Sequence, residues 1–272
     1  MNNFFQRLIT GTIFVSVMLG AVVFGPVSFI LLFSVITFLG VWEFLSLASK
    51  DTLVPQKILG ALTGTALFLI SSLGAFGQID FAYLYLIIPL MFVIFISELF
   101  AGKEKPFYNI AFSLLGIIYV ALPMSLLPLI SFKSGAYSSH ILLGILFLLW
   151  SSDTGAYLFG VKFGKHRLFE KVSPKKSWEG SLGGTCCALL VAYLMAGYFS
   201  ELSVSSWVIL ALIIVVFGTL GDLIESLFKR SIHVKDSGTI LPGHGGILDR
   251  FDGLIFAVPF IFVYLFFIVN YF

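Results

Sequence analysis

The stretch LITGTIFVSVMLGAVVFGPVSFILLFSVITFLGVWEFLSL, residues 8–47, decides the architecture. It carries one ionisable side chain, Glu43, near its end. As a single helix it would extend about 60 Å, twice the ~30 Å of a hydrocarbon core. Gly25-Pro26 supplies a turn near its middle, so two spans fit and one does not. The first span resembles a secretory signal, but only one basic residue, Arg7, precedes it and no small-x-small cleavage site follows. It is expected to remain in the mature chain.

The same pattern continues outward along the chain. Of the 272 residues 59% are hydrophobic, 17% aromatic and 11% charged, and the mean hydropathy is +1.05. A soluble domain carries about a quarter charged residues, which excludes a single soluble core. Breaks at charges, Gly and Pro divide the chain into about nine helical spans: 8–24, 27–47, 58–76, 81–99, 108–130, 139–161, 180–199, 204–228 and 251–271. The expected fold is all-α and polytopic in the membrane. Cys186 and Cys187 are adjacent within an apolar run and form neither a disulfide framework nor a metal cluster by themselves. They read as small apolar filler.

Orientation follows from the loops. Nine spans put the N-terminus and segments 48–57, 100–107, 162–179 and 229–250 on one side, with every Lys and Arg except Lys133. That side is the cytoplasm by the positive-inside rule. Only 162–179 and 229–250 are long, and both are rich in groups that bind phosphate. The expected organisation is therefore a scaffold of about five helices over residues 1–138 and a catalytic half of about four helices over 139–272.

Asp222, Glu225, Ser226 and Lys229 recur at spacings of three and four, which places them on one helix face at the end of the eighth span. Asp249 and Asp252 repeat the three-residue spacing where the ninth begins. Carboxylates from two helix ends suit a hard divalent cation whose shell is completed by water and phosphate oxygens. The plainer alternatives are that Asp249 or Asp252 caps a helix and that Glu225 and Lys229 form an i,i+4 pair. Asp222 resists such a reading, because it follows an uncharged run from Leu202 to Gly221.

Between these helix ends lie Lys229-Arg230, Lys235-Asp236 and Pro242-Gly243-His244-Gly245-Gly246. Glycines let backbone N–H groups approach an anion, and Lys and Arg supply charge to phosphate oxygens. His244 reads equally as a structural histidine. A juxtamembrane loop that only sets topology would explain the lysines but not the interleaved acids and glycines.

The second patch, Ser173-Pro174-Lys175-Lys176-Ser177-Trp178-Glu179-Gly180, opens the seventh span. It suits a polyphosphate at a helix N-terminus or attraction to anionic headgroups. Asp153, inside the sixth span, needs a partner there, and Lys175 or Lys176 is within reach of it in the next loop. Glu43 and Glu98, near cytoplasmic helix ends, read as interfacial or structural.

The run Ser226-x-x-Lys229-Arg230, Lys235-Asp236, Pro242-x-His244-Gly245-Gly246-x-x-Asp249-Arg250-x-Asp252 resembles the signature of the phosphatidate cytidylyltransferases, the CDP-diacylglycerol synthases, at every fixed position. The Asp153-Thr-Gly-Ala-Tyr and Ser-Pro-Lys-Lys-Ser-Trp-Glu-Gly blocks are similar to those of bacterial members. The resemblance implies condensation of CTP with phosphatidate to CDP-diacylglycerol and pyrophosphate, with Mg²⁺ and a potassium ion at a second position. It implies a homodimer in the inner membrane with its site on the cytoplasmic face, and no nucleic-acid partner. Carried onto this chain, Asp222 and Asp249 hold metal, and Lys229, Arg230, Lys235, Asp236, His244, Arg250 and Asp252 form the catalytic set. Asp153, Ser173, Lys175, Lys176, Ser177, Glu179, Ser226, Gly245 and Gly246 contact substrate. A CTP-dependent polyprenol or phytol kinase and a membrane transporter are the competing readings.

Overall fold

The computed structural model describes residues 3–49, 53–133, 136–234, 237–238 and 245–269. Among them eight helical spans are long and apolar enough to cross a membrane, from Pro26–Ala48 to Leu248–Ile268. The first expected span is helix α1 (Asn3–Val23), whose apolar run is Leu8–Val23. The protein is an all-α, multi-pass membrane protein.

The chain divides into two compact units, Met1–Tyr137 with Ile232–Phe251, and Ser138–Ser231 with Asp252–Phe272. The first unit holds α1, α2 (Pro26–Ala48), α3 (Lys57–Ala75), α4 (Ile87–Ala101), α5 (Pro106–Gly116) and α6 (Leu122–Ser131). Gly25 has φ +126° and Pro26 opens α2, so the break falls where a residue without Cβ and one without an N–H follow each other. The Ser28 hydroxyl donates to the carbonyls of Ala21 and Gly25, each at 2.9 Å, and ties the two helices together.

Two spans are less regular than expected. A 3₁₀ turn, Phe81–Leu86, precedes α4, with Asp80 accepting from the Ala82 N–H at 2.6 Å. The fifth span is α5 and α6 joined by a π-helical turn, Ile117–Ala121. A short antiparallel pair, β1 (Phe132–Lys133) and β2 (Ala136–Tyr137), closes α6. Its Tyr137 donates to the Val22 carbonyl at 2.7 Å and packs on Phe29 and Phe132.

In the second unit α7 (His140–Phe163), α8 (Trp178–Tyr198) and α9 (Val204–Ser231) are joined by the part of α10 (Leu248–Val263) from Asp252 onward. Lipid is as apolar as Leu, so close backbone approach rather than water exclusion holds such helices together. The α7–α8 interface is built that way. A Cβ at Gly155 would lie 2.7 Å from Cys187 Sγ and 2.9 Å from the Gly183 carbonyl. Cys187 therefore fills the seam as a small side chain. Between α7 and α8 the expected loop contains a β-hairpin, β3 (Arg167–Phe169) with β4 (Ser173–Ser177), registered Arg167↔Ser177 and Phe169↔Ser173. The sequence RLFEKVSPKKS has no period-two apolar alternation to announce it.

At Gly184 a Cβ would stand 2.7 Å from the Ser152 carbonyl and 3.2 Å from Ala156 Cβ, neither of which can swing away. Gly184→Val should therefore destabilise the protein by about 1–3 kcal/mol or force α7 and α8 apart. Thermal unfolding in detergent checks this, and an unchanged midpoint would show that the seam is looser than the geometry requires.

Candidate functional site

In the second unit, the face of α9 foreseen from its spacing is real, and its acids have acquired partners. The Lys176 Nζ of β4 lies 2.7 Å from Asp222 Oδ2, and the Ser226 hydroxyl donates to Asp222 Oδ1 at 3.2 Å. Lys176 also donates to the Thr219 carbonyl at 3.4 Å. Lys175 or Lys176 was expected within reach of Asp153; of the two, the hairpin directs Lys176 to α9. One turn further on, Lys229 Nζ lies 2.9 Å from Glu225 Oε2 in the i,i+4 pair. Both groups are buried, so that pair is part of the fold as well as of the site.

Asp252 joins this group from α10, within electrostatic reach of Asp222, Glu225 and Asp153. Its Oδ1 accepts from the Gly253 N–H at 2.7 Å. Four carboxylates from α7, α9 and α10 thus share one neighbourhood, and Asp153 lies exposed on α7. Arg230 and Lys175 are exposed and Ser173 is half-buried.

Two residues expected to meet substrate have structural occupations. The Ser177 hydroxyl accepts from the Gly180 N–H at 3.1 Å and caps α8. Glu179 accepts from the backbone N–H groups of Lys165 at 3.1 Å and His166 at 3.2 Å, and from His166 Nδ1 at 2.6 Å. It fastens the turn that leads into the hairpin.

The first unit holds the other carboxylates. Asp249 Oδ2 accepts from the N–H groups of Ser237 at 3.0 Å and Gly246 at 2.8 Å. Asp249 lies in the first turn of α10, where a negative charge also favours the helix dipole. Its two bonds come from N–H groups ahead of the helix, and they fix the carboxylate's orientation as outer-shell donors do for metal ligands. Gly245 has φ +86°, and a Cβ there would overlap Asp249 Oδ2. Arg250 is exposed. Lys235, Asp236 and His244 lie outside the described residues.

The sequence reads Glu43 as interfacial or structural without naming its partners, and it does not single out Ser237. Glu43 is buried; its Oε2 accepts from the Ile247 N–H at 2.7 Å, and its Oε1 accepts from the Ser237 hydroxyl. The adjacent glycines were the only hint, since they mark a close approach without naming what approaches. Glu98 does hold the scaffold together: it accepts from Gln56 Nε2 at 2.6 Å, Lys103 Nζ at 2.7 Å and Asn109 Nδ2 at 3.0 Å.

Among the described residues no group of three His, Cys, Asp or Glu side chains is arranged to hold a metal ion by itself. The donor chemistry nevertheless fits magnesium, which binds one or two carboxylates and takes the rest of its octahedron from water and phosphate oxygens. Asp222 and Asp252 in the second unit are carboxylates of that kind, and so, in the first unit, is Asp249.

Residues 5–268 match the model of the cytidylyltransferase family. The chain is similar to a phosphatidate cytidylyltransferase of Staphylococcus aureus (strain COL), 41% identical over 175 residues, which are 64% of this chain and 65% of that protein. It is also similar to the proteins of that name from Staphylococcus saprophyticus, 34% identical, and Staphylococcus haemolyticus, 32% identical. Each of these matches spans 255 residues, 93% of this chain and 95% of the relative. The chain thus covers just under two thirds of the S. aureus relative and nearly all of the other two.

The Lys176–Asp222 side chains are 26% and 40% exposed, against 10% and 2% for Lys229–Glu225. A double-mutant cycle with Lys176→Met and Asp222→Asn should give a coupling of about 0.2–1 kcal/mol that shrinks with salt. Lys229→Met alone should cost about 3–5 kcal/mol, because it strips the lysine from a buried carboxylate. Equal costs for the two lysines, read from unfolding in detergent, would contradict the difference in burial.

Proposed function

Because the chain belongs to the cytidylyltransferase family, we propose that it is a phosphatidate cytidylyltransferase, condensing CTP with phosphatidate to CDP-diacylglycerol and pyrophosphate. The observation that carries the reading is the family match over residues 5–268. The ionic groups of the second unit, Lys176, Asp222 and Asp252 among them, are chemically suited to the reaction.

The lipid phosphate is a phosphomonoester, anionic near neutral pH, and needs no side-chain nucleophile. One of its oxygens attacks the α-phosphorus of CTP, the new P–O bond forms in line, and the bond to the β-phosphate breaks. The departing pyrophosphate takes the electron pair. What the protein supplies is alignment and charge neutralisation. Lys175, Lys176, Arg230 and Arg250 are the cations suited to the phosphates, together with Lys235 from the loop. Asp222, Asp249 and Asp252 would hold Mg²⁺, which on binding neutralises triphosphate charge and favours departure of pyrophosphate; a potassium ion is proposed for a second position. Asp236 and His244 are assigned to the same loop by the signature alone.

The site is proposed to face the cytoplasm of a bacterial inner membrane, in a homodimer. All but one of the sixteen Lys and Arg residues fall on the side that this orientation makes cytoplasmic. Charges near that boundary attract an anionic lipid headgroup while its acyl chains stay among the spans.

Purified protein given CTP, Mg²⁺ and phosphatidate should release pyrophosphate and form a cytidine-containing lipid. Release of CDP with a lipid alcohol would indicate a kinase, and uptake into vesicles without reaction a transporter. Asp249→Asn should lower kcat on the order of 10²–10³-fold with membrane insertion intact, and a near-normal rate would remove Asp249 from the site. For orientation, an impermeant thiol reagent should label Lys105→Cys from the cytoplasmic side and Asp80→Cys from the opposite side, and the reverse pattern would invert the topology.

A further inference from the structure

Glu43 stands on α2, far in sequence from the signature, yet its buried carboxylate meets Ser237, Gly246 and Ile247 of the signature stretch. Among the described residues no Lys or Arg makes an ion pair with it. Its partners are hydrogen-bond donors: the Ser237 hydroxyl at Oε1 and the Ile247 N–H at Oε2, 2.7 Å away. Ser237 faces two carboxylates at once, since its own N–H donates to Asp249 Oδ2 at 3.0 Å. A Cβ at Gly246 would overlap Glu43 Oε1 and Ser237 Oγ, and one at Gly238 would lie 2.8 Å from Glu43 Oε1. Side chains are thus excluded at Gly238 and Gly246, where the signature loop meets this buried acid.

Burying a carboxylate without a cation is costly, and it is tolerated where charge-assisted hydrogen bonds take up its lone pairs. Those bonds are about twice as strong as neutral ones. The two carboxyl oxygens take separate donors of the signature loop, so one side chain of α2 holds that loop at Ser237 and at Ile247 together. The chain of contacts runs from Glu43 through the hydroxyl and N–H of Ser237 to Asp249.

We propose that Glu43 is a positioning residue that, acting through Ser237 and Ile247, fixes the orientation of Asp249 and of the backbone at Gly245–Ile247 for the bound metal–nucleotide. This rests on the cytidylyltransferase reading. Glu43 touches neither substrate nor metal; it sets the geometry of a group that does.

The test uses the full chain in detergent, as wild type, Glu43→Ala, Glu43→Asp and Ser237→Ala. Hydrogen–deuterium exchange of the peptide covering residues 245–249 should quicken at least about tenfold in Glu43→Ala, while exchange in α7 and α8 stays unchanged. The Mg²⁺ concentration for half-maximal rate and the KM for CTP should rise about 10–100-fold, with the KM for phosphatidate unmoved. Glu43→Asp, one methylene short, should recover part of the loss, and Ser237→Ala should reproduce it in milder form. Ser237→Ala deletes only a hydroxyl, so it carries the test if Glu43→Ala does not fold. Unchanged exchange at 245–249 in a folded variant, or unchanged Mg²⁺ and CTP dependence, would overturn the proposal. A wild type that makes no cytidine lipid would instead overturn the reaction, and the exchange measurement would still decide whether the clamp exists.

Discussion

A carboxylate carried toward hydrocarbon keeps its charge only where donors are brought to it, because desolvating it alone costs several kcal/mol. Much of this structure is the consequence. Glu98 draws Gln56, Lys103 and Asn109 around itself and so joins the segment before α3 to α4 and α5. Asp222 draws Lys176 from the hairpin onto α9. Glu43 and Asp249 gather Ser237, Gly246 and Ile247 onto the helix ends of the first unit. The acids that interrupt the apolar pattern thus determine which remote segments meet. Fold and site are specified by the same few charges.

The sequence made the spans legible because the membrane enforces a length and hydropathy rule that needs no tertiary knowledge. Gly25-Pro26 could be read as a break because its chemistry allows little else, and the face of Asp222, Glu225, Ser226 and Lys229 followed from helical periodicity. The pairing of Lys176 was not legible. It depends on a hairpin whose strands, RLF and SPKKS, show no period-two apolar alternation to betray them, and without the hairpin Asp153 looked as reachable as Asp222. Glu43 escaped for a different reason. Its position near a helix end suggests an interfacial or structural acid, and nothing local names partners that lie some two hundred residues downstream. Ser177 and Glu179 show a further ambiguity: a cap and a turn fastener have the same composition as a phosphate patch, so composition alone does not tell the two roles apart.

The two lysine–carboxylate pairs of the second unit sort the cations by chemistry. In Lys229–Glu225 both groups are almost wholly withdrawn from solvent and share one helix. Parting them would leave a buried charge, and an incoming phosphate would have to compensate that loss before gaining anything. Lys176–Asp222 joins a hairpin to a helix, with both side chains still partly in water, where solvent and salt reduce the attraction to about 1 kcal/mol or less. A triphosphate offers Lys176 several charged oxygens, and a divalent cation offers Asp222 two positive charges in place of one. Each partner can therefore be exchanged at small cost when a metal–nucleotide complex arrives. By this argument Lys176 and Asp222 hold each other in readiness, while Lys229 keeps Glu225 in place, although Asp222, Glu225 and Lys229 share one face of α9.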